Sequence, residues 1–313
     1  MAPPSVNPDA RANPELSVIV VSYGTREMTA ECLASVVGET RETNYDVVVI
    51  DNASTDGSAE LIAARFPAFN VIAETSNLGF AAAANRAAAR ANGRYLLLLN
   101  PDTVVLDHGI DRLMAFARQR PRAGIWGGRT FFADGTPHLL SSSRRPSLWS
   151  FFCVGFGLNT RFPDSPLFHS RAYGGWKRDY ERNVDVVTGS FLLIDRVLWD
   201  RLGGFAPEFF MYGEDVDLCL RARRLGYRPA VTPDATIVHH GSGTEPNQAR
   251  KLTQIFAAEA LLIRRHIKPA ARALALAFLA LRPLLGSVLA SDRYRPLWRQ
   301  VWRKRQQWLA GRY

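Results

Sequence analysis

Two acidic residues, Asp102 and Asp215, stand where a carboxylate could do chemistry. Asp102 follows the most apolar segment of the chain, in the run LNPDT (99–103). A carboxylate at the end of a buried strand could bridge a divalent cation to a diphosphate, because Mg²⁺ takes only one or two protein carboxylates beside phosphate oxygens. A turn would explain the same residues equally well, since Pro-Asp is a common turn pair.

Asp215 lies in the run MYGEDVDLC (211–219), where the spacing predicts a helix that begins near Glu214. The inward face of that helix is predicted to carry Asp215 with Leu218, Cys219, Ala222 and Leu225. The outer side is predicted to carry Glu214, Asp217, Arg221 and Arg224. A carboxylate that faces the protein interior costs free energy unless it is paired. Unpaired buried carboxylates are more typical of catalytic sites than of residues with a purely structural role. The pattern favours Asp215 as a general base over a structural ion pair.

Further polar residues follow other apolar runs. Asp51 could accept a hydrogen bond from the imide N–H of uracil or thymine, and Tyr23 could stack on the ring. The residues after Asp51, namely Ser54, Thr55 and Asp56, are explained by helix capping. His239 and His240 precede a Gly-rich loop and could supply a neutral nitrogen ligand to a metal at Asp102, although adjacent histidines are more often loop polar groups.

The elements that must position these residues alternate between two periods. Short apolar runs at 16–22, 46–51 and 94–100 predict strands buried on both faces, and 29–37, 58–66 and 80–91 have helix-forming composition. Such alternation predicts a doubly wound α/β sheet with its ligand outside the carboxyl ends of the strands. One rim of this sheet is predicted to carry Ser22, Tyr23, Asp51, Asn52, Asn100 and Asp102.

The second half of the chain is less regular. Helices are predicted at 110–118, 214–225 and 247–267, with strands at 125–132, within 184–194 and at 235–239. The stretch 141–180 is rich in Gly, Pro and aromatic residues and is predicted to be a long irregular loop. A loop of that length is usually functional, and it is expected on the acceptor side of a site.

Composition bounds the class of protein. The 313 residues are 47% hydrophobic and 22% charged, which excludes a disordered, collagenous or disulfide-stapled chain. Three widely spaced cysteines match neither a disulfide framework nor a metal site, so a reducing cytosol is expected. Residues 1–15 are polar and Pro-rich without an apolar signal region, and they predict a flexible arm.

The net charge of +10 is concentrated near the end of the chain. From Arg264 onward there are twelve Lys or Arg and a single acidic residue, Asp292, while residues 1–263 hold 27 basic and 28 acidic groups. The globular part is therefore nearly neutral. Any anionic partner is expected to meet the basic end of the chain.

The last fifty residues suggest a membrane surface. The apolar stretch 273–290 is interrupted by Arg282-Pro283, so neither half is expected to reach the roughly twenty residues that span a bilayer. The stretch 293–313 combines seven Lys or Arg with three Trp at helical spacing, which is typical of an interfacial helix on anionic lipid. A basic helix packed on the domain or on a sister chain, and a nucleic-acid arm, are the alternatives. Deletion of 293–313 is expected to release the protein from anionic vesicles and to leave the chemistry of the site intact.

Seven segments in order resemble the inverting family 2 glycosyltransferases of the GT-A fold, in the rhamnosyltransferase-like branch. They are LSVIVVSYG (16–24), VVVIDNASTDGS (47–58), NLGFAAAANRA (77–87), LLLLNPDT (96–103), VTGSFLLIDR (187–196), GGFAPEFFMYGEDVDLCLRARRLGY (203–227) and ATIVHHGSGT (235–244). The resemblance covers residues 16–265 and implies a GT-A domain there. This domain is expected to have a Rossmann-like, mostly parallel sheet flanked by helices, followed by a basic, Trp-rich amphipathic helical tail at 266–313 that associates with the membrane.

The resemblance also implies roles for single residues. Asp215 would be the catalytic base, and Asp102 with His239 would bind Mg²⁺ or Mn²⁺. His239 is preferred to His240 because of its spacing to Thr244, and Asn100 stands where the family's Asp-x-Asp has its first carboxylate. The nucleotide-sugar is expected to contact Ser22, Tyr23, Asp51, Asn77, Gly79, Asn85 and Asn100. The acceptor side is expected to include Gly189, Ser190 and Glu214.

The implied reaction is direct displacement at an anomeric carbon, in which Asp215 removes the acceptor's hydroxyl proton. The expected donor is dTDP-rhamnose, or another dTDP- or UDP-sugar. A lipid-linked or oligosaccharide acceptor in bacterial cell-envelope polysaccharide assembly is expected, at the cytoplasmic face of the membrane and without nucleic acid. A dinucleotide-dependent oxidoreductase is disfavoured, because SYGT (22–25) lacks the G-x-G-x-x-G pattern. A non-catalytic membrane-bound scaffold has no need of inward carboxylates.

Overall fold

A computed structural model describes residues 13–241 and 247–313. Residues 13–106 hold β1 (Leu16–Ser22), α1 (Arg26–Glu39), β2 (Tyr45–Asp51), α2 (Ser58–Arg65), β3 (Asn70–Ala73), α3 (Phe80–Ala88), β4 (Tyr95–Leu99) and β5 (Thr103–Leu106). The three predicted strands and three predicted helices of this half are confirmed. The prediction missed β3 and β5, which are four residues long and carry no continuous buried apolar run.

The middle of the chain holds α4 (Gly109–Gln119), β6 (Ile125–Phe131), β7 (Ser142–Ser143), α5 (Leu148–Gly155), α6 (Leu158–Arg161), β8 (Arg182–Asn183), β9 (Val186–Val187), β10 (Phe191–Asp195) and α7 (Arg196–Leu202). It is followed by α8 (Glu214–Arg224), β11 (Ala230–His239), α9 (Gln248–His266), α10 (Pro269–Leu289), α11 (Arg295–Arg303) and α12 (Arg305–Leu309). The predicted helices α4, α8 and α9 are confirmed. Most of the predicted arm at 1–15, and Thr244, lie outside the described residues.

Nine of the strands form one sheet in the order β3-β2-β1-β4-β10-β6-β11-β5, in which β8 pairs with β11. The short strands β7 and β9 pair with each other in a separate sheet. The half that contains β1 to β4 is parallel, as predicted. The other half is mixed, because β10 runs antiparallel to both β4 and β6. The long segment between β6 and β10 brings the chain to the opposite end of the sheet before β10 begins, so β10 runs antiparallel to β6. A helical crossover would instead have made the two strands parallel.

The sheet is buried on both faces. Leu96 and Leu98 of β4 belong to a core shared with α3 and α8. Leu97 and Leu99 belong to a second core shared with α1 and α4. Because successive side chains of a strand point to opposite faces, a run of four leucines is what two cores on one strand require. All three cysteines are buried and unpaired.

The stretch 141–180 is not wholly irregular, as the sequence had predicted, because it contains β7, α5 and α6. The Ser147 hydroxyl accepts the Ser150 N–H at 3.1 Å, and the Ser150 hydroxyl accepts the Ser147 N–H at 2.9 Å. This reciprocal cap starts α5. The helix is apolar on nearly all sides, so it shows no amphipathic period from which it could be predicted.

The predicted faces of α8 are wrong in part. Glu214 and Asp217 are buried although they were placed on the outer side, and Leu225 is 41% exposed although it was placed inward. The cause is α9, which packs against the face of α8 that looks outward when the helix is considered alone. Asp217 bonds Arg265 and His266 across this contact and Arg221 within α8.

The expected interruption of the apolar tail is also wrong. The helix α10 runs unbroken through Pro283 for 21 residues. It is long and apolar enough to cross a membrane by length and composition, with a mean hydropathy of 1.6 over its most apolar window, of which 22% is buried. The helix packs against α5 and α11, and Pro283 itself is buried in the protein.

The basic segment after α10 packs on the protein. Val301 and Trp308 are fully buried, in a cluster with Phe256 of α9 and Leu279 of α10. The Trp308 indole N–H donates to the Val301 carbonyl at 2.9 Å. Of the three alternatives for this segment, packing on the domain is the one observed, and Trp308 faces protein instead of lipid.

Candidate active site

A cavity of about 420 Å³ opens at the carboxyl ends of β1 and β4 and reaches the start of α8. Because β1 pairs in parallel with β2 and β4, the residues that follow these strands meet at one edge of the sheet. Nine of the predicted site residues line the cavity: Tyr23, Asn77, Asn100, Asp102, Gly189, Ser190, Glu214, Asp215 and His239. The structure thus brings these nine predicted residues together at one edge of the sheet.

Asp102 and His239 form a pair on one wall. The Asp102 carboxylate lies 3.1 Å from His239 Nε2, and the Asn100 amide nitrogen lies 3.2 Å from the same ring nitrogen. Pairing of β5 with β11 sets Thr103 opposite His239, and the His240 N–H donates to the Asp102 carbonyl at 2.9 Å. Burial would raise the pKa of Asp102, but the hydrogen bond and charge of His239 hold it below its ordinary value. His239 lines the cavity, whereas His240 is exposed.

This pair fits a divalent cation that draws its remaining ligands from a diphosphate and water. Across 13–241 and 247–313 there is no group of three or more His, Cys, Asp or Glu arranged to hold a metal. One carboxylate and one imidazole are too few for a closed protein site. They suffice for Mg²⁺ or Mn²⁺ at a phosphate-binding site, where such ions use one or two protein carboxylates.

Asp215 lies across the cavity at the start of α8. One of its carboxylate oxygens accepts the Gly189 N–H at 3.0 Å, and the other accepts the Val216 N–H at 2.7 Å. Burial raises the pKa of Asp215, and these two hydrogen bonds offset part of that rise. The left-handed Gly213 (φ 83°) turns the chain into the helix, so the carboxylate meets the positive end of the helix dipole.

Glu214 is a second carboxylate beside Asp215. It is buried, and its Oε2 atom has no hydrogen-bond partner. Burial, and then the charge of Asp215, raise the pKa of Glu214 well above its ordinary value. Two adjacent carboxylates in one buried site cannot both ionise easily, so the pair separates into one charged and one neutral group. Asp215, with two N–H donors, is the one that stays charged.

The residues Tyr23 and Asp51, which were predicted to contact a nucleotide, follow or end β1 and β2. Tyr23 is 40% exposed and stands on the cavity wall. Asp51 is buried: its Oδ2 accepts the Ser54 N–H at 3.0 Å, and its Oδ1 has no partner. Asp51 therefore does hold the following turn, which the sequence argument had discounted. Its second oxygen is left as an unused acceptor, but Asp51 itself does not line the cavity.

Three predicted contacts lie behind the cavity wall. The Ser22 hydroxyl bonds Thr25 and Thr29. A Cβ at Gly79 (φ 77°) would lie 2.4 Å from the Phe210 carbonyl oxygen, so glycine is required there for packing. The Asn85 amide accepts the Phe205 N–H and donates to the Phe205 carbonyl, each at 2.9 Å. Both ends of this amide are used, so Asn85 fastens the 205 turn and does not reach the cavity.

Asn77 both lines the cavity and supports it. Its side-chain oxygen accepts the Gly79 N–H at 2.8 Å and an Asn52 amide N–H at 3.0 Å. The sequence argument missed other residues of the wall: Thr25, Phe80, Phe132, His138, Thr188, Met211, Tyr212 and Lys251. His138 is among the chemically capable ones. Its place in a loop after β6 has no sequence pattern that would have singled it out.

This geometry defines an α/β enzyme that binds its ligand at the ends of parallel strands and sets one candidate base across from a carboxylate–histidine pair. Residues 17–200 match the family model described as Glycosyl transferase family 2. The chain belongs to this family and is a glycosyltransferase.

Curated relatives extend beyond the matched region. An N-acetylglucosaminyl-diphospho-decaprenol L-rhamnosyltransferase of Mycobacterium tuberculosis is 31% identical over 267 residues, which cover 78% of this chain and 84% of the relative. A rhamnosyltransferase of Escherichia coli is 26% identical over 71% of this chain and 82% of its own length. The similarity thus includes the α8 segment with Asp215, which the family model does not reach.

Solved structures agree on the fold. A mannosyltransferase from Pyrobaculum calidifontis in complex with GDP-Man and Mn²⁺ has a TM-score of 0.56 at 19% identity, covering 98% of this chain and 88% of that one. The structure of S. aureus TarS 1-349 in complex with UDP-GlcNAc has a TM-score of 0.53 at 17% identity, covering 94% of this chain and 81% of that one. The GT-A fold predicted from the sequence is confirmed.

Proposed function

We propose that the enzyme transfers L-rhamnose from dTDP-rhamnose to a lipid-linked saccharide in cell-envelope polysaccharide assembly. The observation that carries the proposal is the 31% identity to the rhamnosyltransferase of M. tuberculosis over most of both chains. The cavity agrees with it, because a single general base faces the acceptor side and a diphosphate site lies opposite. Another dTDP- or UDP-sugar donor is the alternative within the same chemistry.

In the proposed reaction Asp215 takes the proton from the acceptor hydroxyl as that oxygen attacks the anomeric carbon. The two N–H groups that bind Asp215 fix its carboxylate at the cavity wall. Glu214, held neutral beside it, can donate its own proton to an acceptor oxygen. With one base and direct displacement, the configuration at the anomeric carbon inverts.

The leaving diphosphate is assigned to the wall that holds Asp102 and His239. These two residues would hold Mg²⁺ or Mn²⁺, which when bound neutralises charge on the diphosphate. Asn100, with its amide nitrogen 3.2 Å from the same His239 ring nitrogen, lies beside this pair. In this proposal Tyr23 and the free oxygen of Asp51 hold the base.

Asp102→Asn should remove metal activation while leaving the shape of the site almost unchanged. The amide is a weaker ligand for Mg²⁺ or Mn²⁺ than the carboxylate, so the metal concentration for half-maximal activity should rise by about tenfold or more. A titration of Mn²⁺ against transfer, in wild type and variant, measures this. Undiminished wild-type activity in excess chelator would show that the metal assignment is wrong.

A donor panel tests the proposed function as a whole. The protein is incubated with dTDP-rhamnose, dTDP-glucose, UDP-GlcNAc and UDP-glucose, each with a polyprenyl-diphospho-GlcNAc acceptor, and the glycolipid product is measured. We expect rhamnosyl transfer from dTDP-rhamnose. Transfer from another donor alone would support the alternative, and no transfer or hydrolysis with any donor would support a non-catalytic scaffold.

We further propose that the GT-A domain at 16–265 works at the cytoplasmic face of the membrane through the helical region 266–313. On α10 an apolar stripe stays uncovered by the protein, with Leu274 at 48%, Leu284 at 37% and Val288 at 62% exposure. These positions recur at helical spacing on one side of the helix. Exposed basic residues such as Arg293 and Arg299 follow the same helix and complement anionic lipid.

The membrane proposal therefore moves from the segment 293–313 to α10. Deletion of 293–313 would remove Val301 and Trp308 from a buried cluster. It would unfold part of the domain and cannot separate membrane binding from folding. Substitutions on the exposed stripe can separate the two, because these side chains do not pack in the core.

Leu284→Asp combined with Val288→Asp should weaken binding to anionic vesicles by tenfold or more. Each substitution removes an apolar side chain that the proposal places in the lipid, and each adds a negative charge that anionic lipid repels. Transfer to a short soluble acceptor should be retained. Val197→Asp is the matched control, because Val197 is 75% exposed on α7, in another part of the molecule. Vesicle co-sedimentation at low and high salt measures the effect. Equal sedimentation of wild type and double variant would contradict the assignment of α10.

A further inference from the structure

His138 is an unpartnered imidazole in the wall of the cavity. Neither of its ring nitrogens has a hydrogen-bond partner among the described residues, and its Nδ1 is buried. The ring lies on Phe132 with a centroid distance of 4.6 Å, and 5.8 Å from the ring of His239. A polar group left without a partner inside a protein costs free energy, so this imidazole is available to a polar ligand in the cavity.

The backbone around His138 is firmly fixed. The His138 N–H donates to the Thr130 carbonyl at 2.8 Å, and the turn after β6 is closed by a bond from the Phe132 N–H to the Thr136 carbonyl, also at 2.8 Å. The imidazole is thus presented to the cavity from a hairpin that continues β6. It stands on the same wall as His239, beside the proposed diphosphate site.

Arg178 reinforces this arrangement from behind. Its guanidinium donates to the carbonyls of Leu139, Ser142 and Trp176, and it has no carboxylate partner among the described residues. Burial lowers the pKa of Arg178 to about 10, a value at which it still carries its charge at neutral pH. Its bond to Leu139 fixes the residue next to His138.

The ligand that suits this corner is an anion. An imidazole carries at least one ring N–H, and the His138 ring, which lines the cavity, has no hydrogen-bond partner among the described residues. A free N–H beside a guanidinium that only carbonyl groups bind attracts negative oxygen atoms. The anionic oxygens of a nucleoside diphosphate meet this condition.

We propose that His138 contacts the diphosphate of the nucleotide-sugar donor by donating its ring N–H to a phosphate oxygen, and that Arg178 is the positioning residue that holds His138 there. The contact would add to whatever Asp102 and His239 contribute, and it would persist on the leaving group during transfer. The inference rests on the nucleotide-sugar donor proposed above, but it concerns residues that neither the family resemblance nor the relatives assign.

Calorimetric titration with dTDP and with thymidine tests the proposal, because only the first carries a diphosphate. His138→Phe should weaken dTDP binding about 10- to 100-fold, as expected for loss of a hydrogen bond to a charged group, and should leave the Kd of thymidine unchanged. His138→Gln, which restores an N–H donor, should recover most of the loss. His169→Phe is the matched control, since the His169 ring bonds the Pro163 carbonyl and is absent from the cavity wall.

The possible outcomes separate this inference from the proposed function. Normal dTDP binding by His138→Phe, or equal weakening of dTDP and thymidine, would overturn the role of His138. Loss in both His138→Phe and His138→Gln would overturn the donor role of the ring N–H. A wild-type protein that binds dTDP no better than thymidine would instead refute a dTDP-sugar donor, and the role of His138 with it. Arg178→Lys should reproduce the dTDP-selective loss if Arg178 positions the ring.

Discussion

Replacing Asp215 by Asn should lower kcat by about 100-fold or more and leave the Kd of the nucleotide-sugar nearly unchanged. The amide keeps the size of the carboxylate but cannot take a proton from the acceptor hydroxyl, and general-base catalysis contributes about 10²–10⁴-fold. Donor binding is spared because Tyr23, Asp51 and Asp102 belong to other elements. Steady-state transfer with dTDP-rhamnose and calorimetric binding of dTDP measure the two quantities separately.

The pH dependence of the wild type provides a second measurement of the same role. A general base works only when deprotonated, and burial raises the pKa of Asp215 above 3.8. Activity should therefore fall with decreasing pH along a limb whose apparent pKa lies above that of an ordinary aspartate. Asp200→Asn serves as the control, because Asp200 is exposed at the surface of α7. Near-normal turnover of Asp215→Asn would rule out the assignment of the base.

The sequence predicted the structure well where a segment's own residues determine whether it is buried. Four consecutive leucines in β4 require an apolar layer on each face of the strand, so the buried sheet could be predicted from the sequence pattern. The residues that end these strands then had to lie together, whatever the rest of the chain did. Hence Asn100 and Asp102 were placed at the cavity without knowledge of any distance.

The sequence was less informative wherever a distant segment decides the environment. The sequence predicts that Asp217 faces outward and pairs with Arg221 one turn later. In the structure α9 covers Asp217 and supplies Arg265 and His266 from almost fifty residues away. Asn85 lies in a segment that resembles the nucleotide-binding motif, but its amide is taken by the backbone of Phe205. His138 enters the cavity from a loop whose path no local pattern fixes. Such long-range contacts leave no period in the sequence.

Asp217 differs from Asp215 in role although only one residue separates them. The carboxylate of Asp217 is completely buried and accepts bonds from Arg221 at 2.7 Å, Arg265 at 2.9 Å and His266 at 2.8 Å. Arg221 in turn donates to the carbonyls of Leu202 and Gly204, so the network ties α8 to the turn before it and to α9. Asp217 therefore holds in place the helix that carries the base.

Asp217→Asn should lower the free energy of unfolding by roughly 3 kcal/mol and shift Tm down by several degrees. Burial alone would raise the pKa of Asp217, but the hydrogen bond from His266 and the charges of Arg221 and Arg265 lower it to about 2. A carboxylate whose pKa falls from near 3.8 to about 2 on folding contributes about 2 kcal/mol of stability at neutral pH. Loss of the partner of the half-buried Arg221 accounts for the remainder.

The sign of the pH dependence distinguishes this ionic contribution from a packing defect. A lowered pKa stabilises the fold at pH values above the unfolded-state pKa near 3.8, and this stabilisation disappears as pH falls towards about 2. The difference in unfolding free energy between wild type and Asp217→Asn should thus be constant from pH 7 to about 5 and shrink below about 4. Urea unfolding at a series of pH values measures it, with Asp215→Asn as the control. That neighbour has a raised pKa, so its neutralisation should leave stability unchanged or slightly higher. A pH-independent gap would mean that packing, and not charge, links α8 to α9 at Asp217.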